Sequence, residues 1–125
     1  MHRHHPTSLR SLALVAAALL LAPGAGAVEP GEGEPGIFKV LHEDDEVRVV
    51  LATTPPGQTE GWHSHPRYFA YVVSGSKMRY DLPDGTSQDM DIATGTNRMI
   101  NPVKKHRGTN IGETTFQALL FEFKK

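Results

Sequence analysis

The sequence contains no cysteine among its 125 residues. Disulfide cross-links, thiolate metal sites, cysteine nucleophiles and a lipid-bearing cysteine are therefore excluded. A helical period is also lacking: no window of useful length shows one, and nine prolines and twelve glycines recur too often to allow it. Neither sign of charge dominates, with 13 Lys and Arg against 14 Asp and Glu. Composition thus gives no electrostatic case for nucleic acid or an anionic membrane.

One apolar run stands out. Met1 to Arg10 is short and basic, with Arg3 and Arg10 and no acid. Leu12 to Ala22 follows, about the length of a signal-peptide core and too short to span a bilayer. Ala25-Gly26-Ala27 suits a small-residue cleavage site, so residues 1–27 read as a signal peptide. No twin-arginine pair occurs, which points to the general secretory route and a periplasmic or secreted protein. Cleavage after Ala27 leaves 98 residues, with 11 basic against 14 acidic side chains and no expected membrane anchor. That length is small for a single core, so a homodimer is expected to help bury apolar surface.

Residues 28–36 are rich in Glu, Gly and Pro and read as a flexible linker. From 37 to 125 the chain becomes a succession of short β-branched and aromatic runs between turn residues. Strands are expected at Ile37–Leu41, Val47–Thr53, Gly61–His65, Phe69–Val73, Lys77–Leu82, Gln88–Ile92, Thr96–Ile100 and Thr115–Lys124. Pro83-Asp84-Gly85 joins the fifth and sixth as a hairpin, with Asp-Gly supplying the turn. In the last run Leu119, Phe121 and Phe123 share one face, and Leu120, Glu122 and Lys124 share the other. The fold class is all-β, an antiparallel barrel or sandwich. Lys104, Lys105 and Arg107 read as a solvated turn.

Seven histidines occur, of which His2, His4 and His5 leave with the signal peptide. His63 and His65 are one residue apart on an extended segment, and side chains at i and i+2 of a strand project to one face. His106 lies at the start of a different strand, where it can meet the pair in space. Imidazole suits zinc, iron, copper and nickel, and three such ligands leave open positions for water or substrate. A His-x-His on its own is commonly an exposed polar pair, so the third histidine and the neighbouring glycines carry weight.

These residues resemble the two motifs of the cupin superfamily. Gly57, five residues, His63-Ser64-His65 and a later Gly75 match the first; Gly95, Pro102, His106 and Asn110 match the second. The resemblance runs from about Ile37 to Lys124 and is to small, single-domain, cupin-2-type proteins. It implies a double-stranded β-helix, or jelly-roll barrel, with His63, His65 and His106 as ligands of a central metal. Two departures stand out. In the second motif the proline is one position off, and Lys104 stands near the usual glycine. In the first motif the glutamate ligand is missing: Pro66-Arg67-Tyr68-Phe69-Ala70-Tyr71 follows His65. Phe69 and Ala70 cannot bind a cation, and a tyrosine of ordinary pKa, about 10, is a poor ligand. Cupins without this glutamate include three-histidine iron dioxygenases and proteins without metal. Glu60, beside a turn, reads as solvated; folding back to replace the lost ligand is the alternative.

Tyr68, Tyr71 and Arg79 are the other pocket candidates. The tyrosines either wall the barrel or donate hydrogen bonds into it. Arg79 and Tyr80 point to opposite faces of one strand, so only one lines the pocket, and an inward arginine would suit a carboxylate. Arg67 and Arg98 have similar claims. Trp62 is expected to cover the outer sheet or pack against a partner, Asn110 to serve a turn or support the ligands, and His42 to lie exposed. The reading is a small periplasmic or secreted cupin with a three-histidine site for a divalent ion: zinc, iron, manganese, nickel or copper. Its partner is a small-molecule ligand or substrate. It is either a metal-dependent enzyme of dioxygenase, isomerase or lyase type, a non-catalytic metal or ligand binder, or a metal-free structural barrel.

Overall fold

The computed structural model describes residues 37–125; the expected signal peptide (1–27) and linker (28–36) lie outside the described residues. Nine strands form: β1 (Phe38–Glu43), β2 (Val47–Thr54), β3 (His63–His65), β4 (Tyr68–Ser74), β5 (Ser76–Asp81), β6 (Ser87–Ile92), β7 (Asn97–Ile100), β8 (Val103–Asn110) and β9 (Phe116–Phe123). The all-β expectation holds, and among the described residues no helix is long and apolar enough to cross a membrane.

Every pairing is antiparallel. One sheet has five strands in the order β1-β2-β9-β4-β7, and the other has four in the order β3-β8-β5-β6. In β2 and β9 every second residue is buried, as the two-residue period of a pleated strand requires. The buried face carries Val50 and Ala52 from β2, and Phe116, Ala118 and Leu120 from β9. Tyr68 and Val72 of β4 and Met78 of β5 complete the core, so both sheets contribute to it. A side chain buried as fully as Val50 or Met78 contributes roughly 1.5–3 kcal/mol relative to exposure.

The outward face of the larger sheet is also apolar. Phe69 packs beside Phe121, with ring centroids 6.3 Å apart, and Tyr71, Val73 and Met99 are exposed around them. Within β9, Leu120 and Glu122 thus face the interior, while Leu119, Phe121 and Phe123 face out.

The expected hairpin forms between β5 and β6. Gly85 has φ +87°, a left-handed value open to glycine, and its amide donates to the Leu82 carbonyl at 3.0 Å. The strand that carries His106 begins earlier than expected. The segment Val103–Asn110 is extended from end to end, and the supposed solvated turn at Lys104, Lys105 and Arg107 is part of it. Its inward positions hold His106, Gly108 and Asn110, so it has no apolar alternation to reveal it.

Candidate metal centre

His63 and His65 project inward from β3, and the intervening Ser64 points away. β3 pairs with β8 so that His63 stands directly opposite His106. His106 is the fourth residue of its strand, not the first. The ring centroids are 4.4 Å apart for His63 and His106, 4.9 Å for His63 and His65, and 5.2 Å for His65 and His106. One nitrogen from each ring can be chosen so that all three lie within 4.8 Å of one another.

Hydrogen bonds orient the rings. His63 Nδ1 lies 2.7 Å from the Gly61 carbonyl, and His106 Nδ1 lies 2.9 Å from the Lys104 carbonyl. A carbonyl only accepts, so both Nδ1 atoms carry the hydrogen and both Nε2 atoms keep a lone pair. His65 Nδ1 is 2.9 Å from Oε1 of the buried Glu122, an arrangement in which a carboxyl group orients a ligating imidazole. Burial pushes the pKa of His63 and of His65 down to about 3, and the neighbouring histidines add to the effect. Burial lowers that of His106 as well. At neutral pH the three rings are uncharged, the state a metal requires.

The position where the resemblance would place a glutamate is filled by Phe69, directed outward, and Ala70, which lines the cavity. A carboxyl group nevertheless reaches the centre from elsewhere. Glu60, expected to be solvated, is buried, and its Oε2 lies 3.8 Å from His63 Nε2. Thr54 Oγ1 donates to its Oε1 at 3.1 Å, and the Gly108 amide donates to its Oε2 at 3.1 Å. Those donors make burial tolerable. Space is provided too: a Cβ at residue 108 would lie 2.8 Å from Glu60 Oε2. Burial raises the Glu60 pKa, and the two hydrogen bonds pull against that rise.

The histidines and Glu60 border a cavity of about 480 Å³, lined largely by apolar side chains from both sheets. Tyr68 lines it, packs on His65 at 4.7 Å between ring centroids, and has its phenol pKa pushed up to about 12 by burial. Tyr71 does not line it; this residue sits on the outward face of β4 and is exposed. Arg79 is also outside, held by Asp89 of β6 through two hydrogen bonds of 2.7 and 3.0 Å. Its neighbour Tyr80 takes the inward position, buried enough to raise its pKa. Arg98 lines the cavity, whereas Arg67 lies over the Phe123 ring at 5.9 Å.

The remaining candidates have structural places. Trp62 carries the Arg107 guanidinium on its ring, 4.8 Å from the centroid. Asn110 is fully buried, donates to the Thr54 and Thr114 carbonyls, and accepts from Ser76 Oγ and the Gly112 amide. It pins a turn and is no ligand. His42 is exposed and pairs with Asp44 at 3.0 Å.

No family model matches the sequence, and no curated protein matches it. Solved structures do. The chain is similar to a cupin domain from Bordetella pertussis Tohama I, at 24% identity over 71% of this chain and 93% of that one, with a TM-score of 0.65. It is similar to an uncharacterised conserved protein with a double-stranded β-helix domain from Klebsiella pneumoniae (23% identity, 76% and 80% of the two chains, TM-score 0.54). A third is the polyketide cyclase RemF from Streptomyces resistomycificus (19%, 70% and 64%, TM-score 0.52). Identities this low speak for the fold and not for an activity. The chain from Phe38 to Phe123 has the fold of the cupin-domain proteins, a double-stranded β-helix carrying a three-histidine cluster that could hold a metal.

Proposed function

We propose that this protein is a small exported, metal-dependent enzyme that holds one divalent ion on Nε2 of His63, His65 and His106. A small molecule would bind in the adjoining cavity. The observation that carries the reading is the engagement of all three Nδ1 atoms by oxygen acceptors, which leaves three uncharged Nε2 atoms as the donors. An all-imidazole donor set suits zinc, copper, nickel and iron better than manganese. Loading outside the cytoplasm would favour copper and zinc by intrinsic affinity.

A divalent ion there would supply Lewis acidity to a bound substrate. The chain supplies the rest. Glu60 Oε2, beside His63, is placed to accept or return a proton, and this group favours catalysis over storage. Tyr68 and Tyr80, kept protonated by burial, offer phenolic hydrogens to a ligand. The apolar part of the lining would hold the non-polar portion of a ligand.

Export rests on the Leu12–Ala22 run and the Ala25-Gly26-Ala27 site. Self-association into a homodimer rests on the exposed Tyr71, Val73 and Met99 on one outward sheet face, which a second copy would cover.

Elemental analysis of periplasmically expressed protein tests the metal reading. Wild type is expected to retain about one equivalent of a divalent metal, and the His63→Ala/His106→Ala variant to retain none. Equal metal in the two samples would overturn the reading.

A further inference from the structure

Arg98 is the only lysine or arginine among the described residues that line the cavity. The other described arginines are engaged: Arg48 with Glu43, Arg79 with Asp89, Arg107 with Asp81 and Trp62, and Arg67 over Phe123. No described residue gives the Arg98 guanidinium an ion pair, a hydrogen bond or a ring contact.

The sheet register explains how this exposed residue of the edge strand β7 reaches the cavity. Across the larger sheet, Arg48, Glu122, Tyr68 and Ile100 form one inward row, and Val50, Leu120, Ala70 and Arg98 form the next. Residues two apart on a strand are about 7 Å apart, so Arg98 stands one such step from the row that touches His65 through Tyr68 and Glu122. Its direct neighbour Ala70 is small and leaves its long side chain room over the cavity. The positive charge of Arg98 acts on the phenols of both Tyr68 and Tyr80, one from each sheet. Gln88 and Asn97 add amide groups to the same lining.

We infer that Arg98 selects the ligand, and that the cavity takes a small carboxylate whose anionic end is held by this guanidinium while its other end lies against the histidines. A guanidinium offers a carboxylate two parallel N–H donors, and no carboxylate among the described residues is paired with this one. The inference rests on the three-histidine reading only for what the far end of the ligand meets.

The test uses full-length mature protein, zinc-loaded and metal-free, titrated calorimetrically with glutarate and with its uncharged analogue glutaramide. Wild type is expected to bind glutarate at least about tenfold more tightly than glutaramide. Arg98→Gln should remove that preference, and Arg98→Lys should restore part of it. Zinc content should stay the same in all three proteins. A preference that survives in Arg98→Gln, or no binding of glutarate by wild type, overturns the inference while leaving the metal centre standing. Failure to take up zinc would instead sink the metal centre, and the metal-free titrations would still decide the role of Arg98.

Discussion

The β2–β9 pair and the β3–β8 pair have the same pleat and the same inward-outward alternation, yet they bury opposite kinds of side chain. β2 and β9 turn Val50, Ala52, Phe116, Ala118 and Leu120 inward. β3 and β8 turn His63, His65, His106 and Asn110 inward. Apolar burial is favourable wherever it occurs, whereas each buried polar group needs a partner. The smaller sheet meets that need with local carbonyls for His63 and His106. It also draws on the larger one. The polar exceptions on the inward face of the large sheet include Thr54 and Glu122, which hold Glu60 and His65 respectively. The larger sheet supplies most of the apolar core, the smaller one supplies the three histidines, and Thr54 and Glu122 of the first support the second.

The largest expected effect separates the two jobs. Leu120→Ala should cost about 2–5 kcal/mol of unfolding free energy in urea titrations. Its folded fraction should still take up metal, since Leu120 bonds to no histidine. If metal uptake fails while the fold survives, the division of labour is wrong. Next comes Glu122→Gln, which keeps the size and alters the acceptor facing His65 Nδ1. Metal affinity, measured by competition with a chelator, should fall about 10–100-fold. An unchanged affinity would mean that Glu122 does not orient the ring.

Acid should expose the contrast in a third way. His63 and His65 have folded pKa values of about 3, far below the ordinary 6.5. Below that ordinary value the unfolded chain takes up protons that the folded rings refuse, so stability falls as pH drops from 6.5 toward 3. Each ring contributes up to about 1.4 kcal/mol per pH unit in that window. Glu60 works the other way: its raised pKa stabilises the fold at low pH, and that contribution is lost as pH rises through the folded value. Denaturant curves of metal-free protein between about pH 7 and pH 5 should therefore shift to lower midpoints, and His63→Gln should flatten the trend. A midpoint that does not move would contradict the neutral, buried state of the rings. The smallest effect is expected from Gly108→Ala. The added methyl must displace Glu60, at a cost of about 1–3 kcal/mol or less if the side chain swings away. A crystal structure of the variant with Glu60 in its original place would show that the cradle is looser than described.

Much of this arrangement could be read in the residues, and the failures share one cause. Apolar alternation marks the strands of the stabilising sheet, and β2 and β9 fall within a residue or two of their expected bounds. The bounds of β8 are not legible around His106, because its inward positions His106, Gly108 and Asn110 show no hydrophobic period. The three histidines were visible through spacing and the two motifs. Glu122 lies 57 residues from His65, and its role depends on the β4–β9 register, which no local pattern states. Glu60 looked solvated because its donors, Thr54 and the Gly108 amide, come from two other strands. Tyr80 in place of Arg79 needed the register of β5 against β8, where Tyr80 faces Gly108. Sequence periodicity records what the core requires, and a site built of polar side chains erases it locally.

The most direct test is a crystal structure of the zinc-soaked protein with anomalous diffraction at the zinc edge. One ion should appear among His63, His65 and His106, bound through each Nε2 at about 2.0–2.1 Å, with His65 Nδ1 still facing Glu122. An ion bound elsewhere, or none at the three rings, would contradict the account.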